Sequence, residues 1–250
     1  MFGTKERTSR LSPAAPWFRE QGMNGEAFSF TLNGTHCLAL PSGALLVPAE
    51  NLLCVSDLHL GKSERWARRR GVMLPPYDTR ATLDRLAAEL DVAKPATVVA
   101  LGDSFDDLQA SEALDAEDRD RLAALAEGRR WVWIEGNHDA GRHDHGGEGC
   151  AEFRAATLTF RHIAAPDALP GEVSGHWHPK HGLPGWGERR PCFLLDSRRL
   201  ILPAFGAYTG GLDAREPVLR DLLDPRALAI LTGTRAIPAP LPAARTRRTS

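Results

Sequence analysis

The sequence predicts an α/β fold built on two packed sheets, and three observations lead there. Short apolar runs alternate with helix-periodic stretches through residues 52–136. The pattern turns strand-rich from about 137 to 202. A chain of 250 residues, 42% hydrophobic and 25% charged, carries enough apolar side chains for one large core.

The elements follow in chain order. "FSFTLNG" and "HCLAL" read as a hairpin turning on Asn33-Gly34, a pair that accepts the left-handed conformations of a two-residue turn. "NLLCVS" is a short buried strand. Residues 62–71 and 78–92 are predicted helical; Asp78 is placed to cap the second, where Leu83, Leu86 and Leu90 recur on one face. "TVVALG" (97–102) is another buried strand, and a helix near 116–127 leads into "WVWIEG" (131–136). Strands are then expected at "TLTFRH", "GEVSGH", "PCFLLD", "RLILP" and "ALAIL". Trp131 and Trp133 share one strand face and read as core. Residues 1–25 and 236–250 lack hydrophobic periodicity, so a single domain over 26–235 is expected between two tails.

Composition narrows the classes. A net charge of −1 supplies no global field toward nucleic acid or membrane. Cys37, Cys54, Cys150 and Cys192 form no CxxC pair, which fits packing residues in a reduced, cytoplasmic chain. The charged start "MFGTKERTSR" has no apolar signal region, and no apolar run is long enough to span a bilayer.

The chemistry lies where the strands stop. "LLCVS" ends on Asp57 and His59, "TVVALG" on Asp103, and "WVWIEG" on Asn137, His138 and Asp139. "TLTFR" ends on His162 and "GEVSG" on His176, Trp177 and His178. The carboxyl ends of strands are where an open α/β sheet builds its sites. Gly102, Gly136 and Gly175 precede three of these groups and permit sharp turns with close backbone approach. The donors are carboxylate, amide and imidazole without thiolate, a set suited to Mn, Fe or Zn rather than Ca. They are too many for one ion and suit two ions about 3.5–4 Å apart. Asp57 with His59 alone reads as a loop or cap, and His162 alone as a satisfied polar residue. It is the five-part set at strand ends that points to metal.

In order, DxH, GDxxD, GNHD, a lone His and GHxH resemble the calcineurin-like metallophosphoesterase superfamily over residues 52–178. "SDLHLGK", "GEVSGHWHPK" and "PCFLLDSRRLILPAFGAYTGGL" are more closely similar to the bacterial ligase-associated DNA damage response endonuclease (PdeM) group. The resemblance implies a four-layer α-β-β-α sandwich of two mixed sheets. It implies one ion on Asp57, His59 and His178, a second on Asn137, His162 and His176, and Asp103 bridging both. A bridging hydroxide would then be the nucleophile, with manganese the first choice of metal and iron or zinc the alternatives. His138 would face the phosphate as acid or charge stabiliser, oriented by Asp139. The protein phosphatases of this superfamily follow GDxxD with an Arg that grips phosphate. Asp107 stands at that position here, which disfavours that activity. The basic stretch "KSERWARRR" offers Lys62, Arg65, Arg68, Arg69 and Arg70 as phosphate contacts, weighed against a plain solvated face; Lys180 follows the last motif. "GRHDHGGEG" (141–149) reads as a Gly-rich loop at the cleft rim, Trp177 as support behind its neighbours in preference to a base-stacking face, and His36 and His181 carry no role.

The expected activity is a two-metal phosphodiesterase, a DNA repair endonuclease with DNA as substrate and DNA ligase or repair proteins as associates. The alternatives are hydrolysis of a small nucleotide or nucleotide-sugar ester, and a non-catalytic, metal-stabilised repair module.

Overall fold

A computed structural model of the chain describes residues 26–62, 77–106, 114–138, 145–183, 185 and 187–241. One sheet contains seven strands in chain order: β1 (Phe28–Leu32), β2 (Thr35–Ala39), β3 (Leu45–Val47), β4 (Leu52–Val55), β5 (Thr97–Leu101), β6 (Arg130–Ile134) and β7 (Glu148–Cys150). Pairing is antiparallel from β1 to β4 and parallel from β4 to β7. Asn33 and Gly34 have φ of 47° and 85°, as the expected hairpin turn requires.

The parallel strands are joined by helices on one face. Helix α1 (Tyr77–Ala93) lies between β4 and β5, and α2 (Ala116–Ala126) between β5 and β6. Leu83, Leu86 and Leu90 of α1 and Leu122 of α2 pack on Leu53, Val55, Val98, Ala100, Trp131 and Trp133. The intervening residues Leu52, Cys54, Val99, Leu101, Val132 and Ile134 face the other way, into the core between the sheets. Burial on both faces explains why these strands read as unbroken apolar runs. Asp115 caps α2 by accepting the Asp118 N–H at 2.8 Å. Asp78, expected as a cap, lies instead inside the first turn of α1, because the helix begins before it. Beyond Lys62, the helix expected over 62–71 lies outside the described residues.

The second sheet is assembled from β8 (Glu152–Ala155), β9 (Leu158–Arg161), β10 (Glu172–Ser174), β12 (Arg190–Leu195), β13 (Arg199–Ile201), β14 (Leu228–Leu231) and β15 (Ile237–Pro240). Its spatial order is β15-β14-β12-β13-β10-β9-β8, with β11 (Lys180–His181) paired to β12. Strand β10 is parallel to both its neighbours, so the sheet is mixed. Phe160, Val173, Phe193, Leu200 and Ile230 meet the first sheet across the shared core. The outer face, with Cys192, Leu194, Ile201, Ala229 and Leu231, is covered by Leu219 of the one-turn helix α3 (Pro217–Arg220) and by Leu223. The fourth layer of the expected sandwich is therefore thin.

The first residues of the C-terminal tail expected from 236 are instead part of the second sheet. Ile237–Pro240 forms edge strand β15, registered on β14 over four residue pairs. Pro238 and Pro240 hide the strand from a sequence reading. Their spacing of two puts both nitrogens on the outer edge, while Ile237 and Ala239 carry the N–H groups that face β14. Residues 1–25 and 242–250 lie outside the described residues.

Candidate metal centre

Five strand ends converge on one cleft. Strands β4, β5 and β6 deliver Asp57 and His59, Asp103, and Asn137 and His138; β9 and β10 of the second sheet deliver His162, and His176 and His178. Asp57, His59, Asp103, His176 and His178 all have φ between 45° and 71°. Non-glycine residues seldom adopt this region, and such strain gathers at functional sites. Each of these residues turns its chain abruptly at the sheet edge, aiming the side chain into the cleft.

Two groups of donor atoms result. Ligand atoms of Asp57, His59 and His178 lie within 4.8 Å of one another, as do those of Asp103, His162 and His176. In the first group, Asp57 is fully buried. Its Oδ2 accepts hydrogen bonds from the Ser56 hydroxyl and, at 2.9 Å, from the His176 N–H. Its Oδ1 is buried without a hydrogen bond and sits 3.1 Å from His178 Nε2. His178 Nε2 is itself 3.3 Å from His59 Nε2. In the second group, His162 donates from Nδ1 to the Leu101 carbonyl at 2.8 Å. In the neutral ring that leaves a lone pair on Nε2. This atom faces Asn137 Oδ1 at 3.0 Å, His176 Nδ1 at 3.1 Å and Asp103 Oδ2 at 3.4 Å.

These contacts bring lone pairs together, and a cation accounts for them. The ionisation of both carboxyls and of His176 agrees. Burial would push Asp57 and Asp103 up, but the neighbouring imidazoles outweigh it and hold both carboxyls below the usual range. Burial and the nearby His162 lower His176, keeping that ring neutral. Burial opposes charge on His162 as well, yet Asp103 and Asp57 raise it, and a cation would compete for the same Nε2. Deprotonated carboxylates and neutral imidazoles are what a metal ion requires. The residues present therefore fit the divalent ions that the motif set implies.

The packing leaves no room for other residues at two glycines. A Cβ on Gly102 would lie 2.6 Å from His162 Nδ1, and one on Gly175 would lie 1.7 Å from Ser56 Oγ and 2.6 Å from Asp57 Oδ2.

His138 stands at the mouth, its side chain 32% exposed. Its backbone N–H donates to Asp103 Oδ1 at 3.0 Å, and its Nδ1 donates to the Asp106 carbonyl at 2.8 Å. The other ring nitrogen, Nε2, lies 3.9 Å from Asp103 Oδ2. Asp139, expected to orient this ring, lies outside the described residues, and Asp106 already occupies Nδ1. Asp106 also brings Oδ1 to 3.3 Å from His59 Nδ1. It is the second Asp of GDxxD, so the motif marked it, but the sequence reading assigned it no role.

Among the proposed phosphate contacts, Lys62 donates from Nζ to the Tyr208 carbonyl at 3.0 Å and Lys180 to the Thr209 carbonyl at 3.0 Å. Arg65, Arg68, Arg69, Arg70 and Asp107 lie outside the described residues, as do His143 and Asp144. His145 stacks on Phe105 at 4.7 Å. Trp177 packs against the outer core of the second sheet, and its ring meets His176 edge-on at 4.7 Å, the supporting position expected of it. Burial pushes the Cys37 thiol up to about 12, and Cys54 and Cys192 likewise upward, so these cysteines are packing residues. No helix among the described residues is long and apolar enough to cross a membrane.

No curated protein matches the chain. The crystal structure of Pseudomonas putida nuclease MPE is similar at a TM-score of 0.69 and 25% identity, covering 85% of this chain and 100% of that one. The family model for calcineurin-like phosphoesterases matches residues 51–195, the stretch that carries every strand-end donor. The chain belongs to the calcineurin-like phosphoesterase family and is a metal-dependent phosphoester hydrolase.

Proposed function

We propose that the chain is a two-metal phosphodiesterase that cleaves nucleic acid, DNA in the first place, and acts in DNA repair. The carrying observation is the pair of donor groups at one cleft, each with a buried carboxylate and at least two imidazoles. Asp57, His59 and His178 would hold one ion, Asn137, His162 and His176 the other, and Asp103 would lie between them. The donor chemistry suits manganese, iron or zinc, and the family resemblance puts manganese first. When bound, such ions lower the pKa of water and neutralise charge on the phosphoryl group.

The chain's own residues do the rest. Asp57 and Asp103 supply fixed negative charge. His138, with Nδ1 held on the Asp106 carbonyl, has Nε2 to protonate the leaving oxygen or to hydrogen-bond a phosphoryl oxygen. Lys62 and Lys180 stand beside the ligand motifs as cations for flanking phosphates. The nuclease name of the structural neighbour supports a nucleic-acid substrate. Association with DNA ligase or repair proteins follows from the PdeM resemblance.

The near-neutral charge of −1 favours a second reading, hydrolysis of a small nucleotide ester. Metal-depleted protein, titrated with Mn, Fe, Zn and Mg, separates the two on phosphate monoesters, small diesters and DNA oligonucleotides. Manganese-dependent cleavage of the oligonucleotide internally is the expected result. Turnover of small esters with intact DNA would overturn the nuclease reading.

A further inference from the structure

The segment from Gly206 to Gly211 crosses the rim of the first donor group. It starts on one ligand and ends on another. Phe205 and Gly206 donate their N–H groups to the Ser56 and Asp57 carbonyls at 2.7 and 3.1 Å. At the far end, a Cβ on Gly211 would lie 2.1 Å from the His178 carbonyl oxygen, so the backbones touch there. The next residue, Leu212, accepts the Lys180 N–H at 2.7 Å. Between these anchors the Thr82 hydroxyl accepts the Ala207 N–H at 2.9 Å.

Tyr208 occupies the middle of this strap. It is 80% exposed and has φ of 56°. An aromatic residue in the left-handed region is strained, and a ring in water returns little of that cost through burial. The fold alone gives no reason for a tyrosine here. Its surroundings do. Lys62 Nζ donates to the Tyr208 carbonyl and Lys180 Nζ to the Thr209 carbonyl, each at 3.0 Å. An ammonium group has three donors, so both lysines keep N–H groups and their charge for a second partner. An exposed aromatic residue on a strap whose adjacent carbonyls are held by two cations, beside a phosphoester centre, matches the alternation of base and phosphate along a nucleotide chain.

We infer that Tyr208 is a substrate-binding residue that stacks on a nucleobase next to the scissile phosphate, with Lys62 and Lys180 holding a neighbouring phosphate. The inference rests on the nucleic-acid reading above and gives that reading its base-contacting element. The residue pattern alone does not mark Tyr208 for this role, which depends on the loop being strapped across Asp57 and His178.

The test uses holoenzyme loaded with manganese and two oligonucleotides of one length. The first carries natural bases throughout, and the second a tetrahydrofuran abasic unit beside the cut. Tyr208→Ala is expected to raise KM on the first by roughly 5- to 150-fold, the usual worth of one base stack, with kcat held. It should leave the abasic substrate unchanged. Tyr208→Trp retains a stacking face and should restore the low KM. A 2-aminopurine beside the cut should be quenched on binding to wild type and to Tyr208→Trp, but not to Tyr208→Ala. Equal KM changes on both oligonucleotides, or none, would overturn the assignment while leaving the nuclease reading standing. Wild-type turnover of small diesters without any oligonucleotide cleavage would overturn both.

Discussion

The two donor groups draw on the same two sheets but are braced differently. His162 of the second group is oriented by a neutral carbonyl, that of Leu101. His59 of the first group has a carboxylate, Asp106, behind its ring. A carboxylate sets a full negative charge behind the ring, a carbonyl only a dipole. The groups are similarly enclosed, but only the first carries the Gly206–Gly211 strap on its His178 backbone. Similar donors in unlike settings teach that, on the proposed assignment, the two ions bind with unequal strength and are replaced at different rates.

The largest blow to that distinction comes from Asp103, which belongs to the second group and also accepts the His138 N–H. Asp103→Asn is expected to abolish nearly all turnover and to lose both ions. Two ions per chain by metal analysis, with near wild-type rates, would remove Asp103 from its bridging place. His138→Ala should separate chemistry from metal binding. Turnover falls by roughly 10²–10⁴, the worth of a positioned acid, while the metal content holds. The loss should be smallest with a nitrophenolate leaving group, which needs no proton; equal loss on poor and good leaving groups points to charge stabilisation instead. Removing the metals by chelation should destabilise the fold by about 3–4 kcal/mol for each ion lost, relative to protein at 100–1,000 times the dissociation constant, read as a drop in melting temperature. An unchanged melting temperature would deny that the facing lone pairs need a cation. The finest test is Asp106→Asn. It should weaken one of the two ions by about 10–100-fold, as loss of a bracing carboxylate does, and leave the other as it was. Titration of metal-free protein resolves the two steps, and parallel weakening of both would erase the difference between the groups.

Much of this was legible in the sequence, for a physical reason. Beyond the first residues of β5 and β6, Thr97 and Arg130, strands β4, β5 and β6 are buried on both faces, so they had to be apolar there, and each run broke sharply at its polar donors. The hairpin announced itself through Asn33-Gly34. Where a role runs through the backbone, the side-chain pattern is silent: Asp106 acts on His138 by its carbonyl, and Leu101 on His162 likewise. Strands β3, β7 and β11, of two or three residues, are too short for a period to show. The thin cover of the second sheet left no helical periodicity to read beyond the single turn Pro217–Arg220.

The prolines of β15 have an effect beyond their own strand. A sheet edge with free N–H groups invites another chain to add a strand. Pro238 and Pro240 leave two positions on that outer rim with no donor to offer. The second sheet is therefore closed to growth on that side, which guards a crowded solution of this protein against edge-to-edge aggregation.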